Sequence, residues 1–456
     1  LSSEAVQTQV DPAQLLDRIN ANDLYAAARD AANSQSATYH YNTHRAEIGL
    51  RYNTNLINLN VGLRYMPENT RLDYTRGSVG HIDTTRTVQT FAPNLRLRVK
   101  FSKTQRLDFF YRGETNQPSM TNLLNVVDNS NPLRITVGNP GLKPSWNDNF
   151  RLFYNGYNTE SQRGIMGNLS FTNERNAVTQ MLIYDDASGR QFTRPENING
   201  NWSANGGFTF NTPLNASKMF TMSTSTNVNL SRSVGYIATT SQPITLPDAP
   251  NLSQVNQLFA GAVAQKSTNR ISGFSEKLDF SYRRDLWDVT LDGRVSYQHS
   301  RSSLNPSQNL DTWSYDYGVS TNITLPWSIS FSTDLRMTSR RGFAASELNT
   351  NELVWNASLS KSFLKDNALT MRLEGFDLLN QQNNISRSLT ALMRTDTRSN
   401  ILNTYVMLHA IFKLNVFGGA KLPSPPEGGG PGGPGEHRGP GNFRPSTPPP
   451  GGGHMF

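Results

Sequence analysis

Histidine, serine and carboxylate side chains are the first candidates for chemistry, and spacing decides what each group can do. His40 and His44 stand four residues apart, a ligand spacing that works on a helix. The sequence around them alternates as a strand does, which separates them by about 13 Å at roughly 3.3 Å per residue. One metal ion does not bridge that gap. His299 lies among Ser296, Ser300, Ser302 and Ser303, a base beside possible nucleophiles. No nucleophile-elbow motif surrounds them and no orienting acid is apparent, so hydrolysis is not expected. Asp185 and Asp186, with Glu196 following, suit a Ca²⁺ site; the turn chemistry of aspartate explains them as well. The sequence is therefore expected to hold no catalytic residue, no metal ligand and no cofactor.

The basic residues suggest a different use. Arg96, Arg98 and Lys100 alternate with Leu95, Leu97, Val99 and Phe101, and Arg283, Arg294 and Arg336 stand in similar alternating text. A row of cations on one strand face would steer an anionic solute. The alternative is that they pair with Asp and Glu on that face or contact a separate plug. The formal net charge is +8. Nucleic acid is not an expected partner, because the arginines alternate along strands instead of clustering on a helix. Val137–Pro144 contains Gly138, Asn139 and Pro140 in a rigid turn. In a long connection this turn either folds over a pore mouth to meet solute or caps the rim.

The elements that would hold these residues are long strands. Over Tyr405–Phe417 one face carries Val406, Leu408, Ala410, Phe412, Leu414 and Val416, and the other is mixed, carrying Tyr405, Met407, His409, Ile411, Lys413, Asn415 and Phe417. Period two means a strand with two environments, and roughly 9–11 tilted residues cross a bilayer. The same alternation recurs from about residue 39, in segments longer than the usual strand of about 5–6 residues. Tyr52, Tyr65, Phe101, Tyr111, Tyr282, Trp287 and Trp327 fall at segment ends, as interfacial girdles do. The apolar face is expected in lipid and the charged face in a lumen. A mean hydropathy of −0.54 is compatible with this, since barrel strands hide only alternate residues. There is no cysteine, so disulfides and thiolate metal sites are excluded.

Connections alternate in length. Short ones are expected at Asn53–Asn55, Lys103–Thr104, Thr159–Arg163, Thr212–Ser217, Arg284–Trp287, Leu325–Trp327 and Leu364–Ala368, and long ones near 75–87, 117–144, 183–192, 237–267, 301–311, 342–350 and 385–398. Outer-membrane barrels have short periplasmic turns and longer extracellular loops, so the last strand is expected to run inward, leaving a periplasmic tail. The fold expected is an all-β antiparallel transmembrane barrel of about fifteen strands out of about 22. Bacterial barrels have even strand numbers, so an odd count beginning outside implies strands before Leu1. The domains expected are a loop segment over 1–38 with a short helix at Asp11–Ala32, barrel strands over 39–417, and a disordered Gly/Pro-rich tail over 418–456.

Ile135–Pro144 reads ITVGNPGLKP, preceded by Arg112–Leu123, RGETNQPSMTNL, and followed by the strand Phe150–Tyr157. Phe376–Gln381 reads FDLLNQ, with Asn384, Ile385, Ser386 and Arg387 after it. These segments resemble the outer-membrane β-barrel family of TonB-dependent receptors of Bacteroidetes type, over most of residues 39–417. The resemblance implies active uptake of a bulky solute such as a siderophore, glycan or peptide, driven by the TonB complex through an N-terminal plug absent from this chain. The partners expected are outer-membrane lipid and lipopolysaccharide, the TonB complex and the solute. The alternative is a non-transporting barrel that scaffolds an envelope assembly or secretion complex.

Overall fold

A computed structural model describes residues 35–413, apart from 78–79, 241–243, 248, 305, 307–308, 344–345, 365–367, 383, 390–393 and 400–403. The expected helix at Asp11–Ala32, residues 414–417 of the last strand and the Gly/Pro-rich tail lie outside the described residues.

In chain order the strands are β1 (Gln35–Thr43), β2 (Ala46–Asn53), β3 (Ile57–Arg76), β4 (Gly80–Lys100), β5 (Gln105–Asn116), β6 (Val127–Asn131), β7 (Arg134–Val137), β8 (Ser145–Asn158), β9 (Arg163–Arg175), β10 (Ala177–Tyr184) and β11 (Gln191–Ile198). They continue with β12 (Asn201–Pro213), β13 (Phe220–Thr239), β14 (Val263–Arg284), β15 (Trp287–Ser302), β16 (Leu310–Leu325), β17 (Ile329–Arg341), β18 (Asn351–Phe363), β19 (Leu369–Phe376), β20 (Asn384–Leu389), β21 (Arg394–Ser399) and β22 (Tyr405–Phe412). Two short helices, α1 (Met120–Leu123) and α2 (Leu252–Gly261), sit in the connections. No helix among the described residues is long and apolar enough to cross a membrane.

The wall is an antiparallel sheet. β1 and β2 share the first place, pairing with the upper and lower parts of β3. The order then runs β3, β4, β5, β8, β9, β12 to β19 and β22, so among the described residues the wall has fifteen places, in line with the alternation. Pairing from β13 to β17 runs without a bulge, so each side chain keeps its face along the whole strand. Phe280, Leu291, Val319 and Leu335 stand side by side on one face. On the other, the neighbouring rung is Asp279, Asp292, Gly318 and Arg336.

The apolar face is bare. Leu278, Phe280, Leu291, Leu359 and Leu373 are all exposed, and the register puts them on one face as an apolar belt. An apolar patch beyond a few hundred Å² is not left in water by a monomeric soluble protein, so this belt needs a hydrocarbon solvent. Aromatic pairs bound it. Phe220 and Tyr282 form a tilted pair 4.7 Å apart near the short turns. Toward the other end Tyr65–Phe91 and Tyr297–Trp313 are tilted pairs at 4.9 and 4.6 Å, and Phe376 stacks on Tyr405 at 4.5 Å.

The short connections fall within a residue or two of their expected places. At Trp327 and Ser328 the backbone is left-handed, with φ of 64° and 56°, the primed-turn geometry that matches strand twist. The long connections near 237–267, 301–311 and 342–350 also fall where expected, whereas three others differ. β3 and β4 continue as one hairpin through the segment near 75–87. The segment near 117–144 contains β6 and β7, and the one near 183–192 is the short turn between β10 and β11; the four strands order as β6–β7–β11–β10–β13 through two parallel pairings. Ile135, Val137, Met181, Ile183, Phe192 and Ala238 form the main buried core, closed by Val255 and Phe259 of α2. By register, this core occupies the sheet face that carries the bare belt lower down. Past the aromatic rows that face meets α2 instead of lipid. Asn251 starts α2 with a capping box, reciprocating 3.0 and 2.9 Å hydrogen bonds with Gln254.

Candidate functional site

With the apolar belt outward, the opposite face of the wall is the inner, polar one, and most of its charges are paired there. Arg98 donates to the buried carboxylate of Asp108 at 2.5 Å, with Arg106 at 3.5 Å on the other oxygen. Arg336 meets Asp292 at 3.2 Å, Arg283 meets Asp288 at 3.0 Å, and Lys277 meets Asp279 at 2.6 Å. Arg340 pairs with the buried Glu352. Neighbouring strands place these partners within reach, because opposite and diagonal residues on one face touch.

Three of the expected cations differ. Arg96 lies over the ring of Phe110 at 5.0 Å, on the same face as Arg98. Lys100 and Arg294 have no carboxylate partner among the described residues. Arg294 is held between Lys277 and Asp316 in the ladder, while Asp316 accepts from Thr338 at 2.7 Å. The candidates do not converge on one spot. Arg96, Arg98 and Lys100 rise on β4 near a short turn, whereas Arg294 and Arg336 belong to β15 and β17, several strands round the wall.

Parts of the segment 117–144, around α1, Val127 and Leu142, pack on the inner side of the upper wall, while β7 belongs to the rim sheet. Leu72 and Tyr74, inward-facing on β3, pack with Met120 and Leu124. Arg76 is fully buried, reaching Val127 O at 3.0 Å and Asp128 at 3.3 Å. Arg86 donates to Leu142 O at 3.0 Å. Sequence reasoning singled out none of these inward arginines, whose partners lie some fifty residues away.

Gly138, Asn139 and Pro140 form a staple within this fold. A Cβ at Gly138 would stand 1.9 Å from Leu124 O, so the two backbones touch there. The Asn139 side chain is engaged within the fold: it donates to Pro195 O and accepts from Gly141 N, both at 2.9 Å. Asn197 closes the turn from the other side, bonding Lys143 N and O. Pro140 is exposed. The motif thus ties the connection to β11. The FDLLNQ segment has a parallel role. Buried Asp377 accepts from Gln381 N and Gln382 N, both at 3.0 Å, and its own N–H donates to Asn356.

The remaining candidates resolve by face and turn. Asp185 accepts from Ala187 N and Ser188 and closes the β10–β11 turn, and Glu196 pairs with Arg194 at 2.7 Å. An acid does stand beside His299, contrary to the sequence reading: Asp311 Oδ1 lies 2.5 Å from His299 Nδ1 and accepts from Tyr297 at 2.8 Å. The register places His299 on the outward face, while Ser296, Ser300 and Ser302 point inward. His40 pairs opposite Arg71 and His44 follows the end of β1, with its N–H donated to Pro67 O at 3.1 Å.

Among solved structures, the chain is similar to OmpT, an outer membrane protein of Vibrio cholerae, at 6% identity and a TM-score of 0.30, over 83% of this chain and 100% of that one. It is similar to FpvA of P. aeruginosa, solved with bound pyoverdine, at 8% identity and a TM-score of 0.28, over 82% of this chain and 58% of that one. It is also similar to the ferric-catecholate import receptor Fiu of E. coli K12, at 9% identity and a TM-score of 0.24, over 84% and 81% of the two chains. No curated protein sequence matches. A family model matches residues 16–281 and 264–412, nearly the whole described wall, and by that match the chain belongs to the outer membrane protein beta-barrel family.

Proposed function

We propose that the chain is the barrel wall of a TonB-dependent outer-membrane receptor that takes up a bulky solute. The observation that carries this is the inner face. It is polar and charged along its length, and parts of the 117–144 connection pack on it at the loop end. A bare polar lining requires water or a second polar body inside the wall. In this reading the second body is a plug, and Arg96, Lys100 and Arg294 are the cations left to meet the plug or an anionic solute. The short turns face the periplasm and the folded loops face outward. The mechanism is gating: the loops capture solute, and force on the plug through the TonB complex clears the lumen. Outer-membrane lipid, lipopolysaccharide included, surrounds the apolar belt.

The test is site-specific photocrosslinking in the outer membrane of the native host. A crosslinker at Lys100 or Arg294 is expected to capture plug sequence, and uptake-deficient TonB mutants should change that yield when solute is present. A lumen that captures no plug and a yield blind to TonB would support the scaffold alternative instead.

A further inference from the structure

The outward face carries an unusual row just past its aromatic girdle. Arg232 of β13 is the direct ladder partner of Arg270 of β14, and Arg270 is the partner of Arg301 of β15. Three guanidinium groups therefore stand side by side on adjacent strands. Like charges directly opposite are destabilising. Elsewhere at this level the outward arginines are matched. Arg71 grips Asp83 with two nitrogens, Arg175 meets Asp148 at 3.0 Å, and Arg341 donates to Asn351 at 2.7 Å. In the row of three, Arg301 has only Asp311 at 3.9 Å, a carboxylate already engaged by His299 and Tyr297. Arg232 and Arg270 have no carboxylate within pairing distance among the described residues, and Arg232 Nε is shut off from solvent without a hydrogen-bond partner. Lys266 adds a fourth cation: a Cβ at Gly200 would lie 3.4 Å from Lys266 Nζ and 3.8 Å from Arg232 Cζ.

The depth of the row is set by its neighbours. Trp202 is the ladder partner of Arg232. Phe274 and Tyr297, which face each other, lie four residues below Arg270 and Arg301, about 10 Å lower along tilted strands. Trp313 packs on Tyr297 at 4.6 Å. The cations thus lie where hydrocarbon gives way to headgroups, on the loop side.

We propose that Arg232, Arg270 and Arg301, with Lys266 beside them, bind the phosphate of an outer-leaflet glycolipid, the lipid A portion of lipopolysaccharide. Planar guanidinium forks match phosphate oxygens two at a time, and a phosphate among three of them converts their mutual repulsion into attraction. The acyl chains of the same molecule would run down the bare belt below. The inference rests on the orientation given under the proposed function, with the loops outward.

The test uses the full chain purified from outer membranes, with heat-modifiable gel migration as the measure of an intact barrel. Binding of bisphosphorylated lipid A, lipid A stripped of phosphate, and inorganic phosphate is followed by the rise in unfolding temperature. The wild type is expected to respond to the bisphosphorylated lipid at concentrations where the other two have no effect. The combined variant Arg232→Gln, Arg270→Gln, Arg301→Gln should remain heat-modifiable and bind that lipid at least about tenfold more weakly, the size of one lost charge-assisted contact. Equal responses to the phosphorylated and stripped lipids, or an unchanged triple variant, would overturn the site. An equal response to inorganic phosphate would make it a free-anion site. Surface labelling that places these residues on the periplasmic side would overturn the orientation, a separate failure.

Discussion

At the scale of single residues, the inward arginines divide into those paired with carboxylates and those with no carboxylate partner among the described residues. Arg98 neutralises Asp108, whose side chain is only 4% exposed. Arg98→Ala leaves that carboxylate with Arg106 alone, and a loss of about 1–3 kcal/mol is expected, less than for a fully orphaned buried charge. Denaturant titration of the refolded barrel would measure it. Arg294 has no such partner, so Arg294→Ala should shift stability by no more than about 0.5 kcal/mol while altering uptake of an anionic solute. Equal stability losses in the two variants would erase the distinction. Gly138→Ala drives a methyl group into Leu124 O, and the 117–144 connection should become sensitive to limited proteolysis with the barrel band intact.

At the scale of elements, the strands of the wall were legible because lipid imposes period two on every one of them. Val406, Leu408, Ala410 and Phe412 already separate from Met407, His409 and Ile411 in the sequence, and the register with β19 keeps that separation. The rim was legible only in outline. β7–β11 and β10–β13 are parallel pairings between segments far apart in the chain, and alternation within a segment does not name its partner. Ile135 and Val137, or Met181 and Ile183, show the period; nothing local says that α2 covers them. The His299–Asp311 contact was missed for a similar reason, since it depends on hairpin register across an intervening loop. The same residues make the rim testable as a unit. Phe259→Ala removes a buried ring from the face of α2, and a loss of about 3–5 kcal/mol is expected in the rim. Hydrogen exchange should then accelerate in α2, β10 and β11 while β14–β17 stay protected. Uniform acceleration would mean that rim and wall unfold together.

At the scale of the whole molecule, two faces of one sheet live in two solvents, and the distribution of apolar residues follows. Among the described residues the main buried hydrophobic cluster lies in the rim under α2, and a smaller one lies between β3 and the 117–144 connection. A charge placed on the belt should therefore be costly, and the same charge on the inner face should not. Leu278→Arg is expected to cost about 2–4 kcal/mol, as lipid-facing charges near the bilayer midplane do, against little change for Ser275→Arg. The most direct measurement exploits the lack of any native cysteine. Single cysteines placed in turn from Phe274 to Phe280 in native outer membranes should react with a water-soluble maleimide at Ser275, Lys277 and Asp279. They should be protected from it, and quenched by lipid-borne probes, at Phe274, Leu278 and Phe280. Labelling that lacks this two-residue period, or a period of opposite phase, would contradict a wall with lipid outside and water within.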